Sequence, residues 1–205
     1  MAIALADPPA TQSLPKLRAA AAKCRACPLW RTGTQTVFGE GGAHAALLVV
    51  GEQPGDREDI EGHPFVGPAG RLLDKALEAN GVPRDDVYVT NAVKHFKWEP
   101  RGKRRLHKTP AQREIEACHP WLEAEVAAVE PRVILCLGAT AARAVMGGKV
   151  RVTELRGQPL NSPLGREAII TIHPAYILRL RDDIEGAFAL FVNDVGKAAK
   201  LAGLA

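Results

Sequence analysis

The four cysteines are the residues whose types and spacing are most typical of metal binding. Cys24 and Cys27 are separated by two residues in a polar segment, and Cys118 and Cys136 lie far along the chain. Four thiolates suit zinc or an iron–sulfur cluster, and spacing does not choose between them. The alternative is four buried thiols, which fits Cys136 inside an apolar run but not the polar segment. The sequence therefore predicts a metal centre of one of these two kinds.

Polar side chains follow four apolar runs, at the point where each run ends. They are Glu52, Gln53, Asp56, Asn91, Thr140 and His173. Each alone is typical of a turn or a helix cap. Because ligands of open α/β sheets bind at the carboxyl ends of the strands, we expect these side chains to share one site. Carboxylate, carboxamide and imidazole together can stabilise a cation, pair with a polar edge and donate to an anion.

The segment 94–108, called the basic loop below, concentrates positive charge. It holds seven Lys and Arg residues against one Glu, while the whole chain carries a net charge of +4. The cations are Lys94, Lys97, Arg101, Lys103, Arg104, Arg105 and Lys108. A solvated loop is one interpretation, and a phosphate-binding loop is the other. His107 lies within this loop.

The elements that must position these residues follow from the apolar runs. Residues 46–51, 87–91, 133–138 and 168–173 are continuous runs rich in Val, Ile and Leu, as in strands buried on both faces. Helical patterns lie between them; one, over 67–80, begins with Pro68 and ends before Gly81. Alternating strands and helices predict a three-layer α/β/α sandwich with a central, mainly parallel four-stranded sheet.

Length and composition indicate one globular domain. The chain has 205 residues, of which 46% are hydrophobic and 24% are charged. We expect a flexible tail over 1–15, rich in Ala and Pro, and a single domain over 16–205. No apolar run approaches the ~18 residues of a membrane span, and the start does not read as a signal peptide. We therefore expect a cytoplasmic monomer without membrane contact.

Four ordered motifs carry a resemblance to a known family. They are Gly51-Glu52-Gln53-Pro54-Gly55, the run 64–73, Thr90-Asn91-Ala92-Val93-Lys94 and the run 173–179. Together they resemble uracil-DNA glycosylases, and four cysteines in this layout resemble the family 4 branch. That branch holds a 4Fe–4S cluster, so the resemblance implies a cluster bound by Cys24, Cys27, Cys118 and Cys136.

One stretch of the basic loop narrows the resemblance. Lys103-Arg104-Arg105-Leu106-His107 is similar to the Lys-Arg-Arg-Ile-His loop of the UdgX branch, which becomes covalently joined to DNA through that histidine. Gln53 also matches this branch. Two departures are Leu106 in place of isoleucine, and Ala175 and Tyr176 where serines are usual. The resemblance implies a DNA-repair enzyme that excises uracil and is then cross-linked to the abasic site through His107, in a single turnover.

The resemblance also implies roles in a pocket that receives a flipped uracil. Phe65 would stack on the base, and Asn91 would read its edge, with Gln53 and Asp56 beside it. Glu52 would stabilise the cationic sugar or orient water.

Two histidines would complete the chemistry. His173 would donate to uracil O2 as negative charge develops there. His107 would attack C1′ as a neutral imidazole. The expected partner is uracil-containing DNA, with single strands favoured. Its phosphates would be held by six cations: Lys94, Lys103, Arg104, Arg105, Lys108 and Arg179.

Three other functions remain open at this point. The first is a conventional family 4 glycosylase that releases its product, from which only the loop ending in His107 distinguishes this chain. The second is a non-catalytic iron–sulfur module that binds nucleic acid. Binding alone does not require Glu52, Asn91 and His173 together, which speaks against it. The third is a nucleotide hydrolase with the same fold, in which the cysteines bind a structural zinc ion.

Overall fold

The structure, a computed structural model, describes residues 3–205. Within this range seven strands form: β1 (Leu47–Gly51), β2 (Val87–Asn91), β3 (Trp98–Arg101), β4 (Arg104–His107), β5 (Val133–Leu137), β6 (Pro159–Asn161) and β7 (Glu167–Thr171). The helices are α1 (Leu14–Ala21), α2 (Asp56–Glu61), α3 (Pro68–Ala79), α4 (Gln112–Val129), α5 (Gly138–Met146), α6 (Val152–Leu155), α7 (Pro174–Ile177) and α8 (Ile184–Ala202).

The central sheet has the strand order β2-β1-β5-β7-β6. The first four strands in this order are parallel, and β6 pairs antiparallel with β7. The predicted three-layer, mainly parallel fold is confirmed, but the sheet has five strands rather than four. The fifth strand has three residues and begins with a proline, so its sequence lacks the continuous apolar pattern of the others.

The sheet is buried on both faces because its strands alternate between two apolar layers. Leu48 and Val50 pack on the side of α1, α4 and α5. Leu47 and Val49 pack on the other side, against α3 and α8. This two-sided burial explains why the strands read as unbroken apolar runs. It also brings the polar residues that follow β1, β2, β5 and β7 to one edge of the sheet.

The basic loop is not irregular, because β3 and β4 form an antiparallel hairpin within it. Trp98 pairs with His107 and Arg101 pairs with Arg104. The turn contains Gly102 at φ 60°, a conformation that glycine adopts without strain. The hairpin forms its own two-stranded sheet, separate from the central one. His107 therefore occupies a defined position at the end of β4.

The described part of the N-terminal segment packs against the domain. The amide of Ala4 donates to the carbonyl of Ala26 at 3.0 Å, and that of Ala6 donates to the carbonyl of Ala117 at 2.8 Å. Helix α1 already begins at Leu14, inside the predicted tail. The flexibility of residues 1–15 and the single domain over 16–205 stay predictions. None of the helices in residues 3–205 is long and apolar enough to cross a membrane.

Candidate active site and metal centre

A cavity of about 530 Å³ opens at the carboxyl edge of the sheet. Eight of the predicted site residues line it: Glu52, Gln53, Asp56, Phe65, Asn91, His107, His173 and Arg179. They come from the ends of β1, β2 and β4 and from the segments around α2 and α7. We call this cavity the reaction pocket. Its lining also includes Thr109 and Leu178, which were not among the predicted site residues.

Glu52 and His107 meet in the reaction pocket. The Oε1 atom of Glu52 lies 3.3 Å from Nε2 of His107, and Oε2 accepts a hydrogen bond from Thr140 Oγ1 at 2.5 Å. Desolvation lowers the pKa of His107 below its ordinary value, and Arg179 lowers this pKa further, while Glu52 acts in the opposite direction. The His107 imidazole is therefore neutral at pH 7, although its side chain is half exposed.

His173 enters the pocket with its tautomer determined by the backbone. It caps α7, and its Nδ1 accepts a hydrogen bond from the amide of Ala175 at 3.1 Å. The proton of the neutral ring must therefore reside on Nε2. Burial lowers the pKa of His173 to about 4, and two smaller causes are His107, when that ring is protonated at low pH, and the positive charge of Arg179. At pH 7 this group is a neutral hydrogen-bond donor.

Asn91 and Phe65 form a closely packed wall of the pocket. Asn91 is buried at the end of β2. A Cβ at Gly51 would lie 2.3 Å from Asn91 Oδ1 and 2.7 Å from Phe65 Cζ, so only glycine leaves room for both side chains. Phe65 has φ 60°, a conformation that is strained for a bulky residue. The motifs at 51–55 and 64–73 thus place an aromatic ring beside a buried carboxamide.

The side chain of Gln53 braces the hairpin. Its Nε2 donates to the carbonyls of Lys97 and Lys108, both at 3.1 Å, and its Oε1 accepts from the amide of Lys97 at 3.0 Å. The carboxamide joins the two ends of the hairpin to the end of β1. We expected Gln53 to contact uracil instead. In this structure both N–H donors of its carboxamide already bind the carbonyls of Lys97 and Lys108.

Arg105 and Asp56 also hold the hairpin. The guanidinium donates to Asp56 Oδ1 at 2.6 Å and to Asp59 Oδ2 at 2.5 Å. Its cation lies 5.4 Å from the ring centre of Phe96 and 5.6 Å from that of Trp98. Arg105 is therefore held by two carboxylates and two aromatic rings of the protein, and its role as a DNA-binding cation stays a prediction. The Asp56 carboxylate, expected to contact uracil, lines the pocket but pairs with Arg105.

Lys94 is a buried structural residue. It is 1% exposed and forms an ion pair with Glu125, which is fully buried. Its Nζ also donates to Thr90 Oγ1 at 2.6 Å and to the Asn91 carbonyl at 2.8 Å. The expectation that Lys94 binds DNA is therefore wrong for this structure, since its ammonium group does not reach the surface.

Among the other predicted DNA-binding residues, position and pairing differ. Lys108 is exposed and pairs with Glu99 at 2.9 Å. Lys103 and Arg104 are exposed beside the turn of the hairpin, and Arg179 is exposed at the rim of the reaction pocket. These last three residues are exposed at the hairpin turn and at the pocket rim, and their contact with DNA stays a prediction.

The structure brings together three of the four cysteines. Cys24, Cys27 and Cys118 line a second, small cavity, together with His95. Cys136 is not among the residues that line this cavity; it is fully buried in β5. The ligand set implied by the resemblance therefore does not assemble around one cavity. The sequence patterns did not reveal His95, because a single histidine inside a basic loop carries no spacing signal.

The donor set of this second cavity fits an iron–sulfur cluster. The indole Nε1–H of Trp121 donates to Cys24 Sγ, and the backbone amide of Lys94 donates to Cys118 Sγ, both at 3.3 Å. Such N–H···S bonds stabilise metal-bound thiolates. Burial lowers the pKa of His95 to about 4, which leaves a neutral imidazole able to bind metal.

Across residues 3–205, no three His, Cys, Asp or Glu side chains converge in the arrangement that would hold one metal ion.

Comparison with known proteins gives the family. Residues 38–196 match the family described as the uracil DNA glycosylase superfamily. The chain is 43% identical over 162 residues to the Type-4 uracil-DNA glycosylase of Thermotoga maritima, which covers 78% of this chain and 81% of that protein. It is 38% identical over 188 residues to the Type-4 uracil-DNA glycosylase of Pyrobaculum aerophilum, with 87% and 92% covered. The chain therefore belongs to the uracil-DNA glycosylase superfamily.

Proposed function

We propose that this protein is a DNA-repair glycosylase that excises uracil through the reaction pocket. The observation that carries the proposal is the convergence of Glu52, Asn91 and His173, from three separate strand ends, on one cavity. The names of its Type-4 relatives support the same activity. A module that only binds nucleic acid would need none of these three groups in contact with a base-sized cavity.

The proposed reaction begins when the uracil nucleotide leaves the base stack. The base stacks on Phe65, and the carboxamide of Asn91 pairs with N3–H and O4 of uracil. Cleavage of the C1′–N1 bond leaves its electron pair on uracil and positive charge on the sugar. His173 donates its Nε2 proton as a hydrogen bond to uracil O2, and the Glu52 carboxylate stabilises the sugar cation.

Two reactions could follow at C1′ of the sugar after uracil departs. Water attacks C1′ in a conventional glycosylase, and the names of the Type-4 relatives favour this course. Covalent capture is the second candidate, and the 3.3 Å distance between His107 Nε2 and Glu52 Oε1 favours it. In capture, Glu52 Oε1 accepts the Nε2 proton of the neutral ring while the Nε2 electron pair bonds to C1′, which leaves a neutral imidazole joined to the sugar.

The proposed partner is uracil-containing DNA. Arg104 and Lys103 at the hairpin turn and Arg179 at the pocket rim would contact phosphates. Exposed Leu178 and Tyr176 stand beside Arg179, where an apolar side chain can fill the gap left by the flipped base. We propose that single strands are favoured, because their bases enter a pocket without the loss of a base pair.

We also propose a resident 4Fe–4S cluster, held by Cys24, Cys27, Cys118 and His95. The lining of the second cavity and its two N–H···S bonds support this set in place of one that includes Cys136. When bound, the cluster would supply a cross-link between the 24–27 segment, the start of the basic loop and α4. We retain the proposals of a cytoplasmic monomer and of a single domain.

One experiment tests activity and product fate together. Protein is mixed with an excess of 5′-labelled single-stranded DNA that contains one uracil, and a matched strand with thymine serves as the control. Free uracil is measured by chromatography, and a denaturing gel reveals any protein–DNA adduct. Uracil release without adduct supports the conventional enzyme. Release together with up to one equivalent of adduct, lost in His107→Ser, supports capture. No release from the uracil strand contradicts the proposed function.

A further inference from the structure

The two oxygens of the Glu52 carboxylate have different partners. Oε1 faces His107, whereas Oε2 accepts a hydrogen bond from Thr140 Oγ1 at 2.5 Å. Because an ionised carboxylate only accepts hydrogen bonds, the Thr140 hydroxyl must be the donor. The proposed stabilisation of the sugar by Glu52 does not itself require this second contact.

The fold brings Thr140 to Glu52 through an abrupt change from strand to helix. Helix α5 begins directly after β5, without an intervening loop. Gly138 makes this change at φ +84°, and a Cβ there would lie only 3.0 Å from Cβ of His173. Thr140 is consequently 7% exposed, in the first turn of a helix that begins beside the reaction pocket. Its buried hydroxyl has Glu52 as its hydrogen-bond acceptor.

We propose that Thr140 is a positioning residue for uracil excision, an inference that rests on the proposed function. The hydroxyl holds Oε2 and thereby fixes rotation of the carboxylate, so that Oε1 remains directed at the reacting sugar. Without this contact the carboxylate samples several orientations, and misplacement of a catalytic group by about 1 Å costs up to 10²-fold in rate. Thr140 acts through Glu52 and does not touch the substrate.

The test compares Thr140→Val, which keeps the shape and removes the hydroxyl, with Thr140→Ser, which keeps the hydroxyl. Uracil release is followed in single-turnover reactions with increasing protein over uracil-containing single-stranded DNA. We expect the maximal rate of Thr140→Val to fall about 10- to 100-fold, with an unchanged half-saturating protein concentration. Thr140→Ser should stay within about threefold of the wild-type rate.

A matched control separates positioning from stability. Thr171 Oγ1 donates to the buried Asp194 Oδ2 at 2.7 Å, outside the reaction pocket. Thr171→Val thus removes the same kind of hydrogen bond from a structural pair. It should lower the melting temperature as Thr140→Val does, while uracil release stays at the wild-type rate.

A double-mutant cycle tests whether Thr140 acts through Glu52. In a Glu52→Gln background, Thr140→Val should cause little further loss, because the oriented carboxylate is already gone. Full additivity of the two losses, or a wild-type rate in Thr140→Val, would overturn the inference. If Thr140→Val does not fold, Thr140→Ala takes its place in the same comparisons. Absence of uracil release by the wild-type protein would instead overturn the proposed function.

Discussion

Replacement of Lys94 by methionine tests whether this residue is structural or binds DNA. Lys94 is 1% exposed and Glu125 is fully buried, so the substitution leaves a carboxylate in the core without its cation. Loss of one member of a buried pair costs about 3–5 kcal/mol. For a chain of this length each kcal/mol corresponds to about 2–4 °C, so we expect the melting temperature to fall by about 6–20 °C.

The partner substitution Glu125→Gln provides the control. Glu125 also accepts hydrogen bonds from the Gly39 amide, the Tyr88 hydroxyl and Thr90 Oγ1, which a glutamine carbonyl can retain in part. The double variant Lys94→Met/Glu125→Gln should recover more than half of the lost stability, because no uncompensated charge remains. Thermal unfolding followed by circular dichroism measures each step. A single variant that melts within about 1 °C of the wild type but binds DNA less tightly would refute this reasoning.

Three further predictions address the surface, the cluster and the pocket. Arg104→Ala should reduce the slope of log affinity against log salt for single-stranded DNA by about one unit, whereas Lys200→Ala should leave it unchanged. Cys118→Ser should lose iron and visible absorbance while Cys136→Ser retains both; the reverse result would restore the ligand set from the resemblance. Since burial lowers the pKa of His173 from 6.5 to about 4, the unfolded chain binds more protons between these pH values. The contribution of His173 to the unfolding free energy should therefore fall by about 3 kcal/mol as the pH drops through this window, and denaturant titrations of His173→Asn should show a flatter pH dependence than those of the wild type.

The sheet was predictable because burial on both faces leaves a local pattern. The runs around Val50 and Ile134 are apolar at successive positions, and such runs identify strands without any knowledge of their neighbours. Strand β6 and the hairpin have no such pattern. Strand β3 lacks the alternation of apolar and polar residues that would give it an apolar face, and it contains Pro100. Its sequence therefore resembles a charged loop rather than a strand. The hairpin is fixed instead by tertiary contacts, above all those of Arg105.

The pocket was predictable in its members but not in its pairings. Strand ends placed Glu52, Asn91 and His173 together, because parallel strands end at one edge of a sheet. Whether a cation reaches solvent depends on partners far along the chain, which spacing does not show. Lys94 illustrates this, since its carboxylate partner lies 31 residues away in α4.

The ligands of the metal site also depend on residues that are far apart along the chain. A count of cysteines predicts Cys136 as the fourth ligand of the metal site. In the fold, His95 rather than Cys136 lies beside Cys24, Cys27 and Cys118.

The hairpin that carries His107 is attached to the central domain by side chains rather than by strand pairing. It shares no strand pairing with the central sheet and is fastened by side chains, chiefly Gln53 and Arg105. Its two ends, at Lys97 and Lys108, are drawn together by one carboxamide, so a short connection could replace everything between them. Under the proposed capture through His107, this arrangement makes the proposed nucleophile modular. Insertion or deletion of about ten residues could add or remove covalent capture in an otherwise intact glycosylase, which offers a route both for divergence of new enzymes and for the construction of uracil-specific DNA tags.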